Sequence, residues 1–168
     1  DKDIKRLETI TDRFSKIGSQ AELKNKDIIA LVSQAIEYLK SRMPVKTQFT
    51  IEMPEKEILI PINSTLFEWV VENLVKNAVD AIKGKGKINV SITEDTTNVI
   101  INITDNGDGI DRSIIKNIFK PGVTSKKRGW GLGLSLSKRI VEEYHNGSIF
   151  VMQSAKGIGT TFTIHLPK

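Results

Sequence analysis

Three stretches of this chain hold residue types whose spacing could do chemistry. In the first, Asn73, Asn77 and Asp80 fall at i, i+4 and i+7, so on a helix they project along one stripe, away from Leu74 and Ala78. That row can point oxygens at a cation. Magnesium prefers hard oxygen ligands, keeps several waters and commonly bridges protein to phosphates. An ordinary polar helix face has the same spacing. In the second stretch, Asp105 follows an alternating run over 99–104 and precedes Asn106-Gly107-Asp108-Gly109-Ile110. A carboxylate held at a strand end can accept a hydrogen bond from the exocyclic amine of adenine, where guanine would present a carbonyl. Gly107 and Gly109 leave room for a base against the backbone and permit positive φ. Asp-Asn-Gly is equally a strong turn signal. The third stretch, Gly129-Trp130-Gly131-Leu132-Gly133-Leu134, enters a helical pattern, and a helix N-terminus offers unpaired amides and a positive dipole to an anion such as a polyphosphate.

Glycine patterns of this kind are weak alone. The dinucleotide-binding fingerprint requires a strand directly before its glycines, whereas Lys126-Lys127-Arg128 stand there, and the P-loop pattern is absent.

The elements that must position these residues follow from periodicity. Ile4, Leu7, Ile10, Phe14 and Ile17 give an amphipathic helix over 1–17, ended by Gly18-Ser19. A second helix carries Ile28, Leu31, Val32, Ala35, Ile36 and Leu39, with Asn25 and Asp27 as cap candidates, and stops before Pro44. Short strands are expected over 48–53 and 58–62. Asn63 or Ser64 caps a third helix running to about Lys83, with Phe67, Val70, Val71, Leu74, Ala78 and Ala81 on its buried face. Alternating runs at 87–93 and 98–104 form a hairpin. A short helix begins at Asp111, a helix spans about 131–144, and a final hairpin pairs 148–154 with 160–166. Strands and helices mix without strict alternation. The fold class is therefore α+β, a mixed and mostly antiparallel sheet with helices layered on one face.

With 168 residues, 39% of them hydrophobic, the chain is long enough for one domain with a real core and too short for two of ordinary size. It has no cysteine, so a disulfide framework and a thiolate metal site are excluded. No apolar run approaches the roughly 20 residues that span a bilayer, which gives the expectation of a soluble piece, with any membrane anchor of a parent protein outside it. The net charge of +5 comes from scattered basic residues with no aromatic stacking platform among them, so no nucleic-acid partner is expected. The densest cluster, Lys83-Gly84-Lys85-Gly86-Lys87, reads as a solvated helix-to-strand turn.

Taken together and in order, Glu72-Asn73-Leu74-Val75-Lys76-Asn77-Ala78, Asp105-Asn106-Gly107-Asp108-Gly109-Ile110 and Gly129-Trp130-Gly131-Leu132-Gly133-Leu134 resemble the nucleotide-binding boxes of the GHKL superfamily, most closely the catalytic ATP-binding domain of sensor histidine kinases. The resemblance covers about 26–168. It implies ATP with magnesium as ligands. The asparagine matching Asn77 coordinates magnesium in the family, with Asn73 as a second candidate, and Asp80 completes that stripe. The aspartate matching Asp105 binds the adenine amine, with Gly107, Gly109 and Ile110 around it. Gly129, Gly131, Leu132, Gly133 and Leu134 would face the phosphates. Phe119 to Lys126 resembles the phenylalanine box and lid, with Lys126 aimed at the terminal phosphates. Gly157-Ile158-Gly159-Thr160 resembles the last glycine box, where the threonine matching Thr160 supports the adenine-binding aspartate.

Trp130 replaces the serine or threonine of many relatives, and Asp80-Ala81 is closer to the GHKL ATPases. Those ATPases, however, place a glutamate general base four residues before the key asparagine. This chain has Asn73 there, and Glu72 lies about 100° around the helix, which favours a kinase. Neither His145 nor His165 has the following acidic residue usual for a phosphoacceptor, so both read as structural. Residues 1–20 resemble the end of the second helix of a dimerisation and phosphoacceptor hairpin, and 21–168 the catalytic domain. The implied protein is a cytoplasmic histidine kinase fragment whose acceptor histidine lies on the helical hairpin of a homodimeric parent, with a response regulator as downstream partner. A GHKL ATPase, an anti-sigma-type serine kinase and a nucleotide-gated interaction module are the alternatives.

Overall fold

The computed structural model describes residues 22–43, 46–124 and 131–168, together with Lys5, Glu8, Thr9 and Asp12, which are helical and exposed. Most of the helix expected over 1–17 lies outside the described residues.

The chain enters through β1 (Lys24–Asp27), then α1 (Ile28–Lys40), β2 (Thr47–Glu52), β3 (Leu59–Ile62) and α2 (Ser64–Ala81). There follow β4 (Gly86–Glu94), β5 (Asn98–Asp105), the short α3 (Arg112–Ile115), α4 (Gly133–Arg139) and the final pair β6 (Ser148–Ala155) and β7 (Gly159–Pro167). Five strands form one sheet in the order β2-β4-β5-β7-β6, in which only β2 and β4 run parallel. The expected class, a mostly antiparallel mixed sheet with helices against it, is the one observed. Among the described residues, no helix is long and apolar enough to cross a membrane.

Period-two alternation builds the sheet. Ile88, Val90 and Ile92 of β4, Val99, Ile101 and Ile103 of β5, and Phe162, Ile164 and Leu166 of β7 are buried and stand opposite one another in register, as in Val90 to Ile103 to Phe162. Onto this face pack the apolar stripes of α1 and of α2, the latter through Leu66, Phe67, Val70, Val71, Leu74 and Ala78. The opposite face carries cross-strand polar pairs, Thr104 with Thr161 at 2.9 Å and Thr163 donating to Asn102 Oδ1 at 2.6 Å.

Several boundaries differ from the sequence expectation. Of the two cap candidates for α1, Asp27 is the cap: its carboxylate accepts from the Ile29 and Ala30 amides and also from the Ile58 amide at 3.0 Å. Asn25 instead belongs to β1, which pairs with β3 as a separate two-stranded ribbon, Asn25 opposite Pro61. Asn63, not Ser64, caps α2 through the Leu66 amide. That helix stops at Ala81, because Ile82 is already extended. The last helix ends in a π-helical turn over Ile140–Tyr144.

Candidate functional site

Asp105 is the last residue of β5 and is only 6% exposed. Its Oδ1 accepts from the Gly107 amide at 2.8 Å. Burial pushes its carboxyl above the ordinary aspartate range, and hydrogen bonds from the Gly107 and Thr160 amides partly offset that. A buried carboxylate with no cation paired to it among the described residues is poised for a donor arriving from outside.

The glycines around Asp105 are needed where they stand. A Cβ on Gly107 would fall 2.5 Å from the Ala81 carbonyl at the end of α2, and the same carbonyl accepts from the Asp108 amide at 2.9 Å. Gly109 has φ +74°, and a Cβ there would lie 2.1 Å from the Ala155 carbonyl oxygen. The box is thus clamped between the end of α2 and the β6–β7 turn, whose Gly157 amide donates to the Asp108 carbonyl at 2.7 Å.

Thr160 faces Asp105 across the β5–β7 ladder and is buried. Its hydroxyl pairs with Ser154 Oγ at 2.8 Å, and Ser154 Oγ accepts from the Ile110 amide, also at 2.8 Å. The support expected of Thr160 therefore has two routes, its amide on Asp105 and its hydroxyl through Ser154 to the Gly109-Ile110 backbone. Sequence reasoning missed Ser154, since nothing in one dimension separates it from the other polar residues of an edge strand.

The phosphate-side candidates gather at the start of α4. Leu132 occupies the N-cap position and has no side-chain acceptor for the first-turn amides. Gly131 has φ +64° and packs on Gly122, whose amide donates to the Gly131 carbonyl at 2.9 Å. Leu134 is partly buried against the core. Lys126, Gly129 and Trp130 lie outside the described residues.

α2 brings its stripe to this end. Asn73 is buried, and its Nδ2 donates to Ser137 Oγ at 2.9 Å, leaving its carbonyl as the group a ligand could use. Asn77 is half-buried one turn later, and Asp80 is exposed. Glu72 forms an ion pair with Lys76 around the helix from this stripe. Ser137, fully buried, was also missed by sequence reasoning, since the partner that gives it a role comes from another helix, sixty-four residues away.

His145 is buried, with Nε2 accepting from the Asn63 amide at 3.0 Å and Nδ1 lying 2.8 Å from the Ile140 carbonyl, which assigns the proton to Nδ1. Burial holds its pKa below the usual histidine range, against the pull of the Ile140 carbonyl. Both ring nitrogens are committed, so it is a joint between α4 and the start of α2. His165 stacks edge-on with Phe150 at 5.4 Å.

Against known proteins, the family model described as "Histidine kinase-, DNA gyrase B-, and HSP90-like ATPase" matches residues 62–168. Sporulation kinase D of Bacillus subtilis (strain 168) is 33% identical over 175 aligned residues, covering 99% of this chain and 33% of its own length. Among solved structures, a nucleotide-free catalytic domain of histidine kinase ThkA superposes with a TM-score of 0.79 at 26% identity, covering 88% of this chain and 96% of that one. ThkA in complex with the response regulator protein TrrA gives 0.80 at 24% identity, covering 99% of this chain and 48% of that one. The chain spans a third or less of the first curated relatives it matches.

Proposed function

Since the chain belongs to the histidine kinase-, DNA gyrase B- and HSP90-like ATPase family, with the fold of a histidine kinase catalytic domain, we propose that it binds ATP with magnesium and delivers the γ-phosphoryl to a histidine outside these 168 residues. The observation that carries this reading is Asp105, a buried carboxylate at a strand end, walled by glycines and paired to no cation among the described residues.

In this reading Asp105 accepts from the adenine amine, while Gly107, Gly109 and Ile110 present backbone to the base and Thr160 steadies the carboxylate. The residues present fit a magnesium ion, because it needs only one or two protein oxygens beside phosphates and water. Asn77 would hold it, with the Asn73 carbonyl as the second candidate and Asp80 at the exposed end of the stripe. When bound, magnesium neutralises phosphate charge. The first-turn amides of α4, at Gly133 and Leu134, would donate to the polyphosphate, with Gly131 and Leu132 beside them and Gly129 and Lys126 as the further phosphate-side candidates. Positioning and charge neutralisation dominate phosphoryl transfer, so none of these residues needs to be a nucleophile.

The ATPase alternative requires a general base on α2 facing the phosphates. An amide occupies that place at residue 73, its nitrogen already donating to Ser137, and Glu72 is paired with Lys76. The acceptor would sit on a helical hairpin of a homodimeric parent, to which residues 1–20 belong as 21–168 form the catalytic domain, and a response regulator would take the phosphoryl next. The whole would work in the cytoplasm.

The test uses γ-labelled ATP, magnesium and a hairpin carrying the parent's acceptor histidine. Acid-labile, base-stable label on the hairpin is expected, with none on the 168-residue chain. Label on His145 or His165 would refute the division of labour, acid-stable label on a serine would favour the anti-sigma-type kinase, and release of free phosphate alone would favour an ATPase.

A further inference from the structure

Asn73 and Ser137 form a bridge that the assigned roles do not use. Both are buried, Ser137 completely, and they come from different helices. The Asn73 Nδ2 donates to Ser137 Oγ at 2.9 Å, and that hydroxyl donates onward to the Gly133 carbonyl at 2.8 Å. Direction is fixed along the chain: the hydroxyl is the one group that can accept from an amide nitrogen and donate to a backbone carbonyl at once. The side-chain amide also abuts Gly133. A Cβ there would fall 2.4 Å from Asn73 Oδ1 and 3.0 Å from its Cγ, so the glycine is what lets α2 approach the first turn of α4 this closely.

We propose that Asn73 and Ser137 are a strut that sets the distance and register between the cation-facing stripe of α2 and the phosphate-facing first turn of α4, making Asn73 a positioning residue for the triphosphate. This rests on the functional reading given above. Asn77 lies one helical turn beyond the strut on the same face, so wherever the strut holds Asn73, Asn77 is aimed accordingly. Gly133, the far end of the strut, belongs to the turn whose amides would meet the phosphates. Among the described residues, the base-recognition side, Asp105 with Thr160 and Ser154, shares no hydrogen bond with the strut.

The substitution Ser137→Ala removes the hydroxyl and leaves the Asn73 nitrogen without its partner. Calorimetric titration with adenosine, ADP and ATP, each with and without magnesium, separates the two sides of the site. Adenosine affinity should stay within about twofold, while the gain in ATP affinity on adding magnesium should shrink about tenfold, the scale of one lost hydrogen bond with an unpaired partner. Asn73→Ala should shrink the same increment at least as much, and adding Ser137→Ala to Asn73→Ala should cost nothing further, because the strut is already gone. Should one single variant fail to fold by circular dichroism, the other reads the same ratio from its own end of the strut.

Equal weakening of adenosine, ADP and ATP would mean that the bridge only holds the fold, and would overturn the proposal. So would an unchanged magnesium increment in Ser137→Ala, or a further loss when Ser137→Ala is added to Asn73→Ala, the signature of Ser137 acting independently of Asn73. A wild-type chain that binds no ATP at all would instead remove the functional reading on which the strut depends.

Discussion

Replacing Asp105 by asparagine tests adenine recognition with one atom changed. In the present geometry Oδ1 is held by the Gly107 amide at 2.8 Å, so an asparagine would keep its carbonyl there and turn its NH2 toward the incoming base. The adenine amine then meets a donor in place of an acceptor. A hydrogen bond to a charged group is lost and two donors are left facing each other, together worth about 1.5–3 kcal/mol, or roughly a ten- to hundredfold fall in affinity. The fold should survive. The carboxylate's burial already raises its pKa, which means the charged form is disfavoured in the folded chain, and removing the charge removes that cost. The sign follows from the raised value: Asp105 favours folding fully below the ordinary value of 3.8 and less as pH rises through its higher folded value, so at neutral pH its charge opposes folding. The melting temperature of Asp105→Asn should therefore stay level or rise, while ATP binding collapses. Calorimetry with ATP and with an N6,N6-dimethylated ATP makes the assay specific, because the dimethyl analogue lacks the donor and should bind the unaltered chain about tenfold or more weakly yet bind the variant as poorly as ATP does. If Asp105→Asn keeps wild-type affinity, or still prefers ATP to the dimethyl analogue, Asp105 is not the adenine reader.

Two further outcomes follow from the packing. His145 is neutral and buried with its pKa lowered, so its contribution to folding is full above the unfolded value of about 6.5 and is lost as pH falls through the lower folded value. Unfolding free energies from urea titration should fall between pH 7.5 and 5 with a slope that reaches at most about 1.4 kcal/mol per pH unit, and His145→Gln should flatten that slope; an equal slope in the variant would place the titration elsewhere. Gly109→Ala and Gly157→Ala have similar positive φ, +74° and +79°, but only the former drives a Cβ into backbone, 2.1 Å from the Ala155 carbonyl, whereas nothing lies within 4 Å at Gly157. Chemical denaturation should show a loss of about 1 kcal/mol at residue 157, the cost of the left-handed conformation alone, and a clearly larger one at 109. Equal losses would mean that the box is not clamped against β6.

How far the sequence could be read depended on whether an element declares itself through its own residues. α2, β4, β5 and β7 did, since their buried positions recur at 3.6 or 2 and their ends carry caps or turns. β1 did not. Lys24-Asn25-Lys26-Asp27 has no apolar residue, and it is a strand because β3 offers it a backbone edge, the same arrangement that lets Pro61 sit in β3. The choice between Asn63 and Ser64, or between Asn25 and Asp27, turned on where the neighbouring chain runs: Asp27 wins because it also collects the Ile58 amide, thirty-one residues away. In the site, the residues of the boxes were legible by type and order. Ser137, Ser154 and His145 were not legible as supports, because each acts through a partner that the fold brings from more than forty residues away.

These supports form two separate chains with one common element. On the base side, Asp105 holds Gly107 and faces Thr160, whose hydroxyl reaches the Ile110 amide through Ser154. On the phosphate side, Asn73 reaches Gly133 through Ser137. α2 meets both, the first at its last residue, where the Ala81 carbonyl takes the Asp108 amide, and the second at Asn73. Eight residues of α-helix separate those anchors, about 12 Å at 1.5 Å per residue. A helix of that length with Leu74, Val75 and Ala78 buried between the anchors does not stretch, so it sets the span between the base end and the phosphate end of the site. That places the stripe of Asn77 and Asp80 between the two anchors, which in the proposed reading is the middle of the nucleotide, and it gives the buried Ser137 and Thr160 their role: they attach the two halves of the site to a common ruler.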